Sequence, residues 1–529
     1  MNCIPSILLM VSLFVPAYIP AEQSADDVSK ENPEKNVEKV MGISNARHLL
    51  DRTCFGASPQ EIIEYAFLTK TEAIQKLLQS LQNQPSTDLP DWTRMSFSEI
   101  RALRKQDTRA FTKIQRGWQQ EARIWWTNEM LNSPSPLTER LVLMWHGHFT
   151  SEMRTVKSPH AMLRQNQLFR EKGAGNFEEL LKGIATDSAM ALYLDTQKSK
   201  KGKPNENFAR ELFELFSLGE GNYDEKDIKE AAKAFTGYRI RSTDGTVRKI
   251  PRLHDRTPKT VLGRSGRLDG MDVIDTILDK SACGEWIARR YWLEFISPSP
   301  DPAVIQRWGR DLKKSNWDLK KFLSQLLNSE QFWAEEYRGS LIKSPVDLVV
   351  GSLRRMEIRE IPGALLQRTL MSMGQILFDP PNVAGWPGGT AWIDSTTLLE
   401  RRTFLESGLS NAMVLSIYQN ETQSQPDQKD PEMSPEMDPE MDPEMSPEMS
   451  PGQSRSPLRL NRKAMRRYRP LAAQSLEKTY QRFIAGNSEN ELAWTLSWLP
   501  FQPVTAADQN RTGFGRLQEI ILDPTYQLK

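Results

Sequence analysis

Apolar side chains recur with helical spacing along most of the chain. From Asn45 onward they return at every third or fourth position, which places them on one face of an α-helix. Helices are predicted at residues 59–68, 71–81, 97–131, 138–149, 176–185, 205–218, 225–235, 271–278, 285–294, 319–327, 346–356, 365–377 and 396–405. The pattern therefore predicts an all-α protein whose main helical domain occupies residues 45–415.

One segment, residues 238–253, departs from this spacing. Its β-branched residues lie on either side of Asp244-Gly245, a dipeptide typical of tight hairpin turns. One small β-hairpin is predicted here.

The N-terminal residues have a different character. An apolar run at residues 4–21 is interrupted by prolines, ends in small residues and turns polar at Glu22. This arrangement predicts a signal peptide at residues 1–21, with Ala21 the last residue removed, and hence export to the periplasm, cell surface or extracellular space. No Lys or Arg precedes the run, so a buried N-terminal helix is the alternative. Residues 22–44 are mostly polar and are predicted to form a flexible tether. No apolar run after them is long enough for a transmembrane helix.

The region after the main domain is polar and divided by charge. Residues 416–454 include the repeat PEMSPEMDPEMDPEMSPEMS, whose regular prolines remove backbone donors and predict a disordered acidic linker. A basic block without acidic residues then runs from Arg455 to Arg469. It could bind an anionic polymer or an envelope partner, or neutralise the adjacent linker. No nucleic acid is expected as a partner, since no base-reading motif accompanies the block. Residues 455–529 are predicted to form a helical segment packed on the main domain.

Composition changes this picture little. The formal net charge is +1, and 38% hydrophobic with 26% charged residues are compatible with a globular interior. Beyond the signal peptide the only cysteines are Cys54 and Cys283. They could form one disulfide or remain as two buried thiols, and neither lies in a motif typical of zinc–thiolate sites.

Several separated segments resemble a known bacterial family. They are ARHLLDRTCFGASP at residues 46–59, WHGHF at 145–149, AMALYLD at 189–195, PNENFAREL at 204–212, AFTGY at 234–238, and PPNVAGWPGG at 380–389, with His254-Asp255, Lys259 and Leu262-Gly263 between the last two. Together and in this order they resemble the domain of unknown function 1800 family. The resemblance implies a mostly helical, exported protein without an assigned activity. Two positions depart from the family pattern: Gly147 where many members have Asn, and Phe216 where relatives often have His.

The helix predicted after Asn205 has a polar flank. Glu211 lies there with Asn207 and Arg210, and such a set could perform acid–base chemistry or bind a hard cation. Asn205 and Asn207 are candidate binding residues. An i,i+4 ion pair between Glu206 and Arg210 explains the same face as purely structural.

Two of the chain's five histidines lie close together, at His146 and His148. On a continuous helix they point about 200° apart, so both could reach one metal ion only if the helix unwinds at Gly147. One histidine as ligand and the other as a packed core residue is equally consistent.

These observations combine into a site hypothesis. The candidate catalytic residues are His148, Arg210, Glu211, His254 and Asp255. One divalent metal ion is predicted at His146, His148 and Glu211. Trp386, in the Pro/Gly-rich loop at 380–389, could stack on a sugar ring or anchor the loop to the helices.

Two functions are compatible with this hypothesis. The first is a hydrolase-like enzyme that acts on an envelope or extracellular polymer through a polar His/Glu/Arg cleft. The alternative is a non-catalytic cell-envelope assembly or binding protein. Convergence of His148, Arg210, Glu211 and His254 in one cleft favours the enzyme, and their dispersal over separate helix contacts favours the alternative.

Overall fold

A computed structural model describes residues 38–415, 498–500 and 513–529, together with positions 470, 471, 474 and 503. The signal peptide predicted at residues 1–21, the linker predicted at 416–454 and the block from Arg455 to Arg469 lie outside the described residues. The described elements belong to a compact unit spanning Val40–Lys529.

Helices dominate the described part of the chain, which confirms the all-α prediction. The first twelve are α1 Gly42–Thr53, α2 Pro59–Ala66, α3 Lys70–Gln79, α4 Phe97–Gln106, α5 Thr108–Asn132, α6 Pro136–His148, α7 Met153–Val156, α8 Pro159–Lys172, α9 Phe177–Ala185, α10 Ser188–Tyr193, α11 Asn207–Glu211 and α12 Glu225–Ala234. The others are α13 Gly270–Leu278, α14 Ser281–Phe295, α15 Pro302–Lys314, α16 Leu319–Leu327, α17 Glu330–Trp333, α18 Pro345–Arg355, α19 Gly363–Ser372, α20 Ser395–Thr403 and α21 Gly513–Leu522. A π-helical turn, Leu212–Ser217, continues α11 directly.

Two antiparallel hairpins interrupt the helices. β1 (Tyr238–Ile240) pairs with β2 (Val247–Lys249), which confirms the hairpin predicted from the sequence. β3 (Lys259–Val261) and β4 (Arg264–Gly266) form a second hairpin that the sequence did not predict. Its turn places Leu262 at φ 50° and Gly263 at φ 85°, and the Leu262 N–H donates to Asp227 Oδ1 over 2.7 Å. This tertiary hydrogen bond stabilises a left-handed conformation that leucine rarely adopts.

The boundaries of some elements differ from the sequence prediction. The helix predicted at 97–131 is two helices, because Asp107 ends α4 and its carboxylate accepts from the N–H groups of Arg109 and Ala110 at the start of α5. Helices α7, α8, α10, α15 and α17 were not predicted. The tether predicted to extend to residue 44 ends earlier, since Val40 pairs with Thr69 and α1 begins at Gly42.

The C-terminal segment packs on the main domain where it is described. Leu528 forms a β-bridge with Ile342, and Trp498 and Tyr526 are buried. The packing of residues 455–529 as a whole on the main domain stays a prediction. Among the described residues, no helix combines the length and apolar character needed to cross a bilayer. Cys54 and Cys283 are buried, unpaired thiols, which decides between the two cysteine alternatives.

Candidate active site

His146 lies in an aromatic pocket near the end of α6. Its ring is 5.4 Å from Trp126, 5.7 Å from Phe378 and 5.6 Å from Trp386 between centroids. No hydrogen-bond partner for Nε2 is found in the described structure, and burial lowers the pKa of His146 to about 3. The imidazole is therefore neutral at physiological pH.

His148 occupies a different environment. Its Nε2 lies 3.0 Å from the carbonyl oxygen of Phe216, on the π-helical turn, so this ring nitrogen carries the proton and donates. Burial, reinforced by the Arg290 charge, lowers the pKa of His148 to about 3. Phe216 itself is fully buried beside it, with ring centroids 6.3 Å apart. His148 thus ties α6 to the turn after α11.

The loop at 380–389 packs against the end of α6. Gly385 has φ +84°, and a Cβ at this position would lie 2.2 Å from the carbonyl oxygen of Gly147. Trp386, half-buried, covers Gly147 and the His146 ring. These contacts fit the interpretation of Trp386 as the residue that anchors the loop, while stacking on a sugar stays a prediction.

Arg210 is engaged in ion pairs on the surface. Its guanidinium donates two hydrogen bonds to Glu225, of 2.7 and 3.0 Å, and lies 3.6 Å from Glu206. Asn205, two residues before the start of α11, accepts from the backbone N–H of Asn207 over 2.9 Å in a local turn. The polar flank predicted from the sequence is thus held largely by local contacts.

His254 and Asp255 belong to a tightly bonded turn before β3. His254 Nδ1 lies 3.0 Å from the carbonyl oxygen of Thr236, whose hydroxyl accepts from the Asp255 N–H over 2.8 Å. Asp255 in turn accepts from Thr257, and the buried Lys259 ammonium donates to the Asp255 carbonyl over 2.6 Å. Burial lowers the pKa of His254. The family-like residues of this region therefore stabilise one turn.

Glu211 and Tyr193 differ from these residues, because their polar groups are unengaged, that is, without a hydrogen-bond or ion-pair partner among the described residues. Both side chains are half-buried, and neither forms a hydrogen bond or ion pair with any part of the chain that the structure describes. Burial and then the neighbouring Glu214 raise the pKa of Glu211. Burial, with the charges of Glu152 and Glu211, raises the pKa of Tyr193 to about 12. The carboxyl and the phenol therefore lie within electrostatic reach of each other.

The carboxylates of Glu152 and Asp379 also raise the pKa of the Tyr193 phenol. Glu152 binds the guanidinium of Arg154 over 2.6 Å, and Asp379 accepts from the Arg154 backbone N–H over 2.9 Å and from Arg123. Burial raises the pKa of Asp379. We name Glu152, Arg154, Tyr193, Glu211 and Asp379 the Tyr193 cluster.

The Tyr193 cluster brings together segments that are distant in sequence. Its members lie in or beside WHGHF, AMALYLD, PNENFAREL and PPNVAGWPGG. Sequence reasoning found Glu211 but missed Glu152, Tyr193 and Asp379, whose only signal was their position within or next to those segments. The contacts of His148, Arg210, His254 and Asp255 described above do not join them to the cluster.

The described residues contain no cluster of side chains suited to bind a metal ion. Nowhere among them do three His, Cys, Asp or Glu side chains lie close enough together to hold an ion. The divalent metal predicted for His146, His148 and Glu211 stays a prediction.

Comparison with family models matches residues 48–528 to the family described as Protein of unknown function (DUF1800). This range covers nearly the whole chain, so the chain belongs to that family. No curated protein and no solved structure matches it.

Proposed function

We propose that this DUF1800 member is a hydrolase-like enzyme that acts at the Tyr193 cluster, with Glu211 as general acid–base. The observation that carries the proposal is the pair of half-buried, unengaged polar groups on Glu211 and Tyr193. Unengaged polar groups with perturbed pKa values are more typical of a reacting site than of a structural ion pair.

The chemistry of the cluster suits bond cleavage by water. A carboxyl group whose pKa is raised, such as that of Glu211, keeps its proton closer to neutral pH and can donate it to a leaving group. The phenol of Tyr193 stays protonated and can donate a hydrogen bond to developing negative charge. Glu152, held by Arg154, takes the role of the carboxylate that activates water in two-carboxylate hydrolases.

An exposed basic stripe supports an anionic polymer as the substrate. Its members are Arg101, Arg104 and Lys105 on α4, and Arg109, Lys113 and Arg116 on α5. Arg101, Arg104 and Lys105 on α4, and Arg109 and Lys113 on α5, are like charges three or four residues apart. Such charges repel each other on a helix, so an anionic partner would stabilise this part of the stripe. Two turns beyond Arg116 on the same face of α5, Arg123 donates to Asp379 of the cluster. At 1.5 Å per residue, the path from Arg109 to Arg123 is roughly 20 Å, long enough for several units of a polymer.

The predicted signal peptide at residues 1–21 supports a polymer of the envelope or the extracellular space. Together with the basic stripe, it favours an acidic polysaccharide or a peptidoglycan-like polymer over a small metabolite.

Polymer cleavage by matched variants tests the proposal. The chain from Glu22 onward would be incubated with peptidoglycan and acidic polysaccharides, and soluble fragments would be quantified. We expect Glu211→Gln to lower kcat by roughly 10²–10⁴-fold, the usual contribution of a general acid–base, and Tyr193→Phe to lower it less. Glu220→Gln is the control, since Glu220 is exposed on the same segment. Full activity in folded Glu211→Gln would remove Glu211 from the reaction.

A non-catalytic assembly or binding protein is the second candidate. The observation in its favour is the dispersal of His148, Arg210 and His254 over separate internal contacts. Salt-sensitive polymer binding without cleavage, abolished by charge reversal at Arg109 and Lys113, would favour this function.

A further inference from the structure

A buried ion-pair network lies where α1 and α18 meet. Asp51 accepts from Arg47 over 2.9 Å on one carboxylate oxygen and from Arg355 on the other. All three side chains are at most 4% exposed. The charge of Asp51 is therefore already balanced by two cations.

A second carboxylate beside it is balanced in the same way. Asp347 accepts from Arg140 on one oxygen, and from Lys529 over 2.9 Å and the Ser344 hydroxyl over 2.9 Å on the other. These cations hold the pKa of Asp347 well below its usual range despite burial. Both acids are thus ionised and fully committed to cations.

A cavity of about 10 Å³ lies between the two ion-pair groups and has room for one water-sized species. Its polar lining consists of Asp51, Lys343, Asp347, Arg355, Tyr526 and Lys529.

Lys343 is the charged member of this lining that forms no ion pair with a described residue. Its side chain is buried, and its ammonium lies 3.9 Å from the ring centroid of Tyr526. Within the described residues, Lys343 Nζ forms no hydrogen bond or ion pair. Burial, followed by the Arg355 charge, lowers the pKa of Lys343 to about 7. The charges of Asp51 and Asp347 partly offset this shift, but no carboxylate among the described residues contacts the Lys343 ammonium directly.

The net positive charge around the cavity also favours a bound anion. The cationic side chains are Arg47, Arg140, Lys343, Arg355 and Lys529, and the carboxylates paired with them among the described residues are Asp51, Asp347 and Glu294. Arg401, buried nearby, bonds only neutral oxygens, those of Lys343 and Gln527. A water molecule in the cavity would leave this positive surplus uncompensated, whereas a monovalent anion would reduce it.

We propose that this cavity is a binding site for a single halide-sized monovalent anion, held by the Lys343 ammonium between α18 and the C-terminal segment. The site is separate from the Tyr193 cluster and does not depend on the proposed enzymatic function. By binding between these elements, the anion would fasten the C-terminal segment to the main domain.

Bromide serves as the probe, because it resembles chloride and scatters anomalously. Crystals of the chain from Glu22 onward would be grown in gluconate and soaked in sodium bromide. In parallel, the Tm would be measured at pH 6 as bromide replaces gluconate at constant ionic strength. The variants are Lys343→Met, which keeps an unbranched apolar side chain, and Lys320→Met, which removes an exposed lysine.

The expected result is an anomalous peak in the cavity beside Lys343 Nζ. The Tm should rise with bromide in the wild type and in Lys320→Met, and this rise should be lost in Lys343→Met. A cavity without anomalous signal, or an equal bromide effect on the Tm of all three proteins, would overturn the proposal. If Lys343→Met does not fold, the diffraction result on the wild type decides alone.

Discussion

The buried amine of Lys343 makes a quantitative prediction about stability and pH. Its pKa is about 7 in the folded chain, against 10.5 for an unperturbed lysine. The unfolded chain therefore binds an additional proton between these two values, and protonation there favours unfolding. Stability should consequently rise with pH from about 7 towards 10.5, and be lowest below pH 7, where Lys343 is charged in both states.

The size of the effect follows from the pKa difference. Each pKa unit corresponds to about 1.4 kcal/mol, so the wild type should gain about 2 kcal/mol between pH 7 and pH 9 from this one group. Lys343→Met removes the titration and therefore this gain. The other titrating groups contribute to both proteins and cancel in the difference between them.

The assay is the free energy of unfolding in urea at several pH values, in gluconate buffers free of halide. We expect the difference between wild type and Lys343→Met to change by about 2 kcal/mol from pH 7 to pH 9, in favour of the wild type. Lys320→Met should follow the wild type throughout. Parallel curves for wild type and Lys343→Met would refute the assignment of a depressed pKa to Lys343. Added bromide should move the wild-type transition to higher pH, because a bound anion stabilises the ammonium.

Three other outcomes follow from the packing. Gly385→Ala should destabilise the chain by about 1–3 kcal/mol in calorimetry, because the added Cβ would clash with the Gly147 carbonyl and φ is positive. Gly374→Ala is the control and should cost less, because Gly374 also has a positive φ but no atom lies close to the added Cβ. Glu139→Gln should cost about 3–5 kcal/mol in urea unfolding, because it leaves the fully buried Arg170 without its counter-charge; a loss below 1 kcal/mol would contradict this. The buried thiols of Cys54 and Cys283 should react with a thiol reagent only when the protein unfolds, since burial raises their pKa values.

Helical periodicity identified most of the fold, and its failures have local causes. The break between α4 and α5 depends on the Asp107 side chain, which an apolar pattern does not register. Helix α8 was missed because polar residues on its buried side obscure the stripe: Gln165 and Asn166 are both buried. The hairpin at Leu262 depends on the hydrogen bond that the Leu262 N–H donates to Asp227 on α12, far away in the sequence, so no local pattern could reveal it.

The candidate site was predictable only in part. Glu211 was identifiable because it lies on a polar helix flank, but its relation to Tyr193 and Asp379 arises from three segments far apart in the chain. Lys343 gave no signal at all, since a single lysine before a helix looks like any exposed lysine. Its distinctive property, burial without an ion-pair partner among the described residues, exists only in the folded chain.

The family-like segments fall into two groups, one in the buried ion-pair network and one in the Tyr193 cluster. ARHLLDRTCFGASP contributes Arg47 and Asp51 to the network around the cavity, whereas the segments that contain Tyr193 and Glu211 contribute to the Tyr193 cluster. Packing alone does not require the first group, because well-packed apolar residues are often at least as stabilising as buried ion pairs. A buried network with surplus positive charge is better explained by a ligand that it binds. Loss of bromide binding without loss of polymer cleavage in Lys343→Met would show that the two groups serve separate functions.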